Sequence, residues 1–320
     1  MPETRRPTVG ADALADWCTR WLGAPPAAEL FSTGYLSAVT GLRLTDGREV
    51  VVKVRPRGSR LAGCAAVHRA LWRAGFPCPE PLVDLQPLSG YAASAEVLVP
   101  DIDQPPAGEL AALSAAALAR LVELAPDPGS VPSLLPSPSW VGWDHTEPGL
   151  WPRPEDRDVD LNAHQEPQWL DRVAAAVRDH LRGYAGDPVI GHGDWHPENV
   201  RWQGPELMAV HDWDSVICQP EPAIAGFAAV SFLGIGGETP LASVEDSAVF
   251  LHAYQQARGC HWTSQDHAAL WAAGLWQRAF DAKTRSLDGD PEQILTRHEA
   301  RARLHRAGLD PDLAGEDHQV

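Results

Sequence analysis

The apolar and polar positions of this chain fall into two unlike halves. From Leu30 to Leu44 the residues read as two strands around a small-residue turn, Asp46-Gly47 closes the next hairpin, and Val50 to Val54 forms a further apolar strand. A helix is expected over about Leu61 to Ala74, and Glu96-Val97-Leu98-Val99 reads as another strand. After Pro100 the pattern changes. Ala111 to Ala125 is Ala/Leu-rich with helical spacing, Ala223 to Gly237 is a small-residue apolar run, and Val244 to Gly259 and Asp266 to Asp281 show the helical period. Three short strand-like pieces interrupt that half, at Pro188 to Ile190, Asn199 to Trp202 and Leu207 to Val210. Strands first and helices afterwards predict an α+β chain in two lobes.

The short strands carry the chemistry. His192-Gly193-Asp194-Trp195-His196-Pro197-Glu198-Asn199 lies between the first two, so Asp194 falls on a loop. Turn-forming Gln203-Gly204-Pro205-Glu206 joins the second to the third, which delivers Asp212 of Asp212-Trp213-Asp214 at its end. That hairpin sets Asn199 and Asp212 side by side. An acid, a carboxamide and a second acid at these offsets are what phosphoryl transfer needs: a base for the attacking hydroxyl, and two oxygen ligands for magnesium.

H-G-D-x-x-x-x-N followed by D-W-D resembles the aminoglycoside phosphotransferases and their small-molecule kinase relatives. Protein kinases carry H-R-D and D-F-G at these places, and Gly193 in place of the arginine argues against control by a phosphorylated loop. The resemblance implies a protein-kinase-like fold, with an antiparallel five-stranded sheet and a helix over residues 1–100 and a mainly helical lobe over residues 101–320. It implies ATP and Mg2+ as cofactors, Asp194 as the base, and Asn199 and Asp212 as metal ligands. His192 and Asp214 would hold the loops.

Such a site also needs a lysine on a strand, reaching the nucleotide phosphates. Lys53 fills that place. Only two of the 26 basic residues are lysines, Lys53 and Lys283, so a lysine in an apolar strand is not this chain's habit. Its compact ammonium fits between phosphates where a planar guanidinium does not. The hairpin before it would cover the phosphates with the hydroxyls of Ser32, Thr33 and Ser37 and the amides near Gly34, although it lacks G-x-G-x-x-G. Glu96, Val97, Leu98 and Val99 resemble the strand and hinge that hold adenine. One partner is missing: no acid occurs between Glu49 and Glu80, so the predicted helix cannot supply the usual glutamate to Lys53. Either Lys53 pairs elsewhere, with Glu96 the nearest candidate, or it has no fixed partner.

Charge sharpens the expected acceptor. Residues 1–100 hold 11 basic and 9 acidic residues and the remainder 15 and 34, within a total of −17. An acidic second half favours a cationic small molecule, such as an antibiotic or amino alcohol, and disfavours nucleic acid and anionic membranes; acidic surface also serves plain solubility. Pro126 to Pro154, rich in Pro and Gly, holds Trp140, Trp143 and Trp151 around Asp144 and Glu147. It either lines the acceptor site, with Trp143, Asp144 and Glu147 as contacts, or is a long loop pinned by its tryptophans.

No apolar run is long enough to span a bilayer and no secretory segment is visible, which predicts a cytoplasmic protein. Five cysteines without C-x-x-C spacing fit free thiols. Met1 to Gly10 and Gly308 to Val320 are expected to fray. Two rivals remain: a metal-dependent hydrolase built on His192, Asp194, His196, His211 and Asp212, and a nucleotide-binding pseudoenzyme, suggested by the absent glutamate and the glycine-poor loop. Oligomeric state is not encoded in any motif.

Overall fold

A computed structural model describes residues 6–100, 109–237 and 239–315. The N-terminal part is a five-stranded antiparallel sheet in the order β1-β2-β3-β5-β4, formed by Pro26–Thr33, Ala38–Leu44, Glu49–Arg55, Pro81–Leu88 and Tyr91–Val97 (β1 to β5). Strand alternation sends the side chains of β3 to two different surroundings. Val50, Val52 and Val54 are buried against Trp17, Cys18 and Leu22 of α1 (Ala11–Leu22), in a small core of their own. Each buried valine contributes about 1.5–3 kcal/mol. Val51, Lys53 and Arg55 face the other way, toward α2 (Leu61–Arg73) and the C-terminal part.

Helices α3 (Leu110–Leu124), α4 (Gln168–Arg182), α5 (Glu221–Ser231), α6 (Val244–Arg258), α7 (Ser264–Arg285) and α8 (Arg297–Arg306) make up the second part. Helix α7 is its axis, packed against α4, α5 and α8. Ser243 and Thr263 cap α6 and α7 in reciprocal hydrogen bonds with Asp246 and Asp266, the arrangement that satisfies the first free amides of a helix. Two pairs of short strands lie at the face toward the sheet. Pro188–His192 (β6) pairs with Val216–Pro220 (β9), and Val200–Gln203 (β7) forms a hairpin with Glu206–Val210 (β8).

This is the α+β, protein-kinase-like architecture expected, with additions. Strand β9 and helices α1, α4 and α8 were not anticipated. Residues 126–154 contain only short 3-10 turns, and Trp143 and Trp151 are buried, as a loop pinned by its tryptophans requires. Residues 308–315 do not fray: Ala314 is fully buried, Leu309 and Leu313 pack on the large core, and Arg172 donates to the Leu313 and Gly315 carbonyls at 3.2 Å each. Residues 1–5, 316–320 and the segment following Pro100 lie outside the described residues.

Candidate active site

Strand β6 ends on His192, and the loop that follows is held from below. The His192 Nε2–H donates to the carbonyls of His211 and Asp212 at 3.0 and 3.1 Å, while its Nδ1 accepts from the Asp194 amide at 3.2 Å. Full burial lowers its pKa and keeps the ring neutral, so the tautomer is fixed by the carbonyls it meets. His192 thereby ties the Asp194 loop to the Asp212 turn. Gly193 donates to the Ser215 carbonyl at 2.7 Å and accepts from the Trp140 indole at 2.9 Å. A Cβ there would sit 3.0 Å from Ile217 and 3.3 Å from the Ser215 carbonyl, so a side chain at this position requires its neighbours to shift.

Asp194, half-buried, offers its two carboxylate oxygens differently. Oδ2 accepts from the Asn199 amide at 2.9 Å and stands 3.2 Å from His196 Nε2. Burial opposes protonation of His196, but the hydrogen bond and charge of Asp194 outweigh it and raise the pKa. Oδ1 has no hydrogen-bond partner among the described residues, so it can accept one from a ligand. The Asn199 amide also donates to the Asp194 carbonyl at 2.9 Å, and the Asn199 carbonyl accepts the His211 N–H at 2.8 Å. The β7–β8 hairpin thus ends with Asn199 and Asp212 adjacent.

Asp212 adopts left-handed backbone (φ 58°, ψ 54°), a conformation that costs a non-glycine residue on the order of 1–3 kcal/mol and persists only where the surroundings enforce it. Here the Ser215 hydroxyl donates to Oδ2 at 2.7 Å, and Trp213 is pinned by stacking on His68 of α2, with centroids 4.9 Å apart. Burial pushes the Asp212 carboxyl up. Lys53, the Ser215 hydroxyl and Arg55 overcome that and hold it below its usual value, so it is ionised at neutral pH.

Lys53 Nζ lies 3.9 Å from Asp212 Oδ1 and 4.0 Å from Glu96 Oε1. Glu96 is therefore the acid that faces Lys53 where the helix has none: it projects from β5 on the same face, opposite Val51 and diagonal to Lys53. Its side chain is buried there, so it departs from the expectation that it contributes with the hinge. Val97 and Leu98 enter the hinge with their amides donated to Glu80 and Glu49 carbonyls at 2.9 and 3.1 Å, and Val99 follows. At the opposite edge of the cleft, Ser32, Thr33 and Gly34 are exposed and Ser37 is half-buried. Gly34 has φ 110° and approaches the Ser37 carbonyl so closely that a Cβ would come within 2.2 Å of it; this turn admits only glycine. Ser32 accepts from Arg6 at 2.9 Å.

The three proposed acceptor contacts are not brought to this cleft. Trp143 is buried with its indole N–H on Gln219 Oε1 at 2.9 Å, Asp144 lies in the field of Arg178 and Arg182, and Glu147 accepts from the Arg153 amide on the surface. The cause is Arg178 of α4, which donates to the carbonyls of Trp143, His145, Gly149 and Leu150 and straps that stretch to its helix. The chain meets the Asp194 loop before this stretch, through Trp140 on Gly193, and again after it. Asp156 accepts from the Tyr35 hydroxyl at the tip of the β1–β2 loop, at 3.0 Å. Asp281 of α7 is pushed up to about 7 by burial, opposed by Arg278 and reinforced by the charges of Asp194 and Asp156. Glu155 is raised by burial and by Asp212 and Asp156, against Arg60. Five acids, at 155, 156, 194, 212 and 281, therefore share one field. Only Arg55 among the missed residues had a local signal, since it follows Lys53 by one strand period; Asp156 and Asp281 had none.

The magnesium implied by the resemblance fits the donors present. Asn199 and Asp212 supply hard oxygens at the open end of the β7–β8 hairpin, and Mg2+ is commonly held by one or two such groups with nucleotide phosphates completing the shell. A histidine-rich centre does not fit, because His192 is committed to backbone and no group of three His, Cys, Asp or Glu suited to a metal occurs among the described residues.

This arrangement agrees with sequence comparison. The model of the Phosphotransferase enzyme family matches residues 28–220, more than half of the chain. The chain belongs to that family. As a family member it is a phosphotransferase enzyme, and its solved structural neighbours share the fold. A spectinomycin phosphotransferase, determined with ADP and spectinomycin, is 14% identical, with 96% of this chain and 97% of that one aligned at a TM-score of 0.60. An amicoumacin kinase, determined in complex with AMP-PNP, Ca2+ and Ami, is 12% identical, covering 91% and 89%, at 0.61. An aminoglycoside-3'-phosphotransferase of type VIII is 22% identical, covering 84% and 98%, at 0.51. No curated protein matches the chain in sequence. Among the described residues no helix is long and apolar enough to cross a membrane.

Proposed function

We propose that this family member transfers the γ-phosphate of ATP to a hydroxyl of a small cationic molecule, with residues 1–100 as the nucleotide lobe and residues 101–320 as the catalytic and acceptor lobe. The observation that carries the proposal is the run of contacts that joins Asp194 to Asn199, Asn199 to the turn that holds Asp212, and Asp212 to Lys53. Asp194 Oδ1 takes the proton of the acceptor hydroxyl as that oxygen bonds to the γ-phosphorus; the bond to the bridging oxygen breaks and ADP leaves. Lys53 steadies the phosphates, held at its distance by Glu96. Asn199 and Asp212 would hold Mg2+, whose charge offsets that of the transferring phosphoryl group. The loop at Ser32, Thr33, Gly34 and Ser37 closes over the nucleotide, and Val97, Leu98 and Val99 border adenine.

ADP and AMP-PNP in two structural neighbours support ATP as the donor, and the acceptors in those structures are antibiotics. The shared acidic field of Glu155, Asp156, Asp194 and Asp281 supports a cationic acceptor here, an antibiotic or an amino alcohol, in the cytoplasm where ATP is supplied. Antibiotic resistance is the corresponding biological role. The test is a coupled ADP-release screen against antibiotics and amino alcohols with magnesium-ATP, with Asp194→Ala as control. A hit that disappears in the control supports the reading. Turnover that survives the substitution removes the mechanism, and nucleotide binding with no turnover over the whole panel favours a pseudoenzyme.

A further inference from the structure

Arg55 and Asp214 have no part in the reaction described above, yet both are drawn into the site. Strand β3 places Lys53 and Arg55 on the same face, about 7 Å apart along the strand. Opposite them, Asp212 and Asp214 stand at the same sequence separation across the tight turn centred on Trp213. Lys53 faces Asp212, and Arg55 forms an ion pair with Asp214. Arg55 also donates to Ser94 Oγ at 3.2 Å, on the strand that carries Glu96. Lys53 and Arg55 are buried at 9% and 8% exposure, so little solvent screens either.

We infer that the Arg55–Asp214 pair positions the Asp212 carboxylate for the metal, doing from the strand and the turn part of what a helix glutamate does in related sites. The inference rests on the proposed function. Its physical basis is the division of charge: two cations meet three acids, Glu96, Asp212 and Asp214. With Arg55 on Asp214, Lys53 is shared by Glu96 and Asp212 alone. Without Arg55, the Asp214 carboxylate has no cation of its own and competes for Lys53, drawing it and the left-handed turn out of register. Within α2 the side chains that meet the turn are uncharged: Cys64, whose thiol donates to the Asp214 carbonyl at 3.7 Å, and His68, stacked on Trp213. Arg60, at the start of α2, clamps the Asp214 and Val216 carbonyls, so the backbone is held while the Asp214 side chain depends on Arg55.

The test is calorimetric titration of the full-length protein with ADP, with and without Mg2+, for the wild type, Arg55→Met, Asp214→Asn and the double variant. Metal-ligand support of this kind is worth about 10–100-fold in affinity. Each single variant is expected to lose about tenfold of the Mg2+ enhancement, over and above any change in magnesium-free ADP affinity that displacement of Lys53 causes, and the double variant to lose no more than either single. Losses that multiply in the double variant, or an enhancement untouched by either substitution, overturn the inference. Should Arg55→Met fail to fold, Arg55→Gln and the near-isosteric Asp214→Asn give the same comparison. A wild type whose ADP binding ignores Mg2+ defeats the proposed metal site itself, and this inference with it.

Discussion

Three titratable groups, His68 buried and His211 and Asp281 half-buried, give this protein a pH-dependent stability whose sign and size can be worked out. His68 is pulled down to about 3 by burial between α2 and Trp213, with the Pro79 carbonyl favouring its charged form and Lys53 and Arg55 opposing it. His211, behind Asp212, is pulled down to about 4 by burial. Both are neutral in the fold and have an ordinary value of 6.5 when unfolded. The unfolded chain thus binds more protons below pH 6.5, and stability falls with pH through that window. At 1.36 kcal/mol per unit, each histidine removes about 1.6 kcal/mol between pH 6.5 and 5. Asp281, raised to about 7 from 3.8, acts oppositely: the folded state holds its proton where the unfolded state does not, returning about 1.8 kcal/mol over the same interval. The net from these three groups is a loss of about 1.4 kcal/mol, increased by His192, His145 and His180, also lowered, and reduced by Glu155, Asp144 and His196, also raised. Urea unfolding followed by tryptophan fluorescence at pH 6.5 and 5 measures it. Asp281→Asn should steepen the loss to about 3 kcal/mol, and His68→Asn should reduce it. Stability that rises as the pH falls, or a slope indifferent to both substitutions, would refute the burial argument.

Two further outcomes follow from single contacts. Tyr35→Phe removes the hydroxyl that joins the β1–β2 loop to Asp156, a bond of about 0.5–1.5 kcal/mol, and should speed amide hydrogen exchange over residues 34–37 several-fold; unchanged exchange there counts against an interlobe strap. Lys283, fully buried in α7 and 2.8 Å from the partly exposed Asp171, should cost about 2–4 kcal/mol when replaced by Ala, read as a lower urea midpoint, because its buried stem leaves a cavity and Asp171 loses its cation; a loss below 1 kcal/mol would show that water already reaches the pair.

What the sequence disclosed depended on how local the determinant was. The β7–β8 hairpin, its turn and the offsets from Asp194 to Asn199 and Asp212 lie within twenty residues, and strand and turn chemistry alone brought them together. Lys53 stood out because the chain otherwise uses arginine. Its partner was obscured by a substitution, since Cys64 and His68 occupy the inner face of α2 and the acid comes from β5, a cross-strand relation that register alone reveals. The acceptor side was misplaced for a different reason. Asp144 and Glu147 have suitable chemistry, but four carbonyl bonds from Arg178, distant in sequence, bind their segment to α4. Asp156 and Asp281 approach Asp194 only through packing of α7. Helix α8 has almost no apolar stripe to show, burying only Ala300 and Leu304 beside Arg303, whereas α4 carries a plain one at Trp169, Leu170, Val173, Val177 and Leu181 that was legible and not anticipated.

The central claim is that Asp212, with Asn199, holds the metal of a nucleotide lying against Lys53. Its most direct test is calorimetric titration of a non-hydrolysable ATP analogue into the wild type and into Asp212→Ala, with and without Mg2+. The account predicts that Mg2+ tightens binding to the wild type and has no such effect on the variant. Binding that Mg2+ strengthens equally in both proteins, or a wild type that binds no nucleotide, would contradict it.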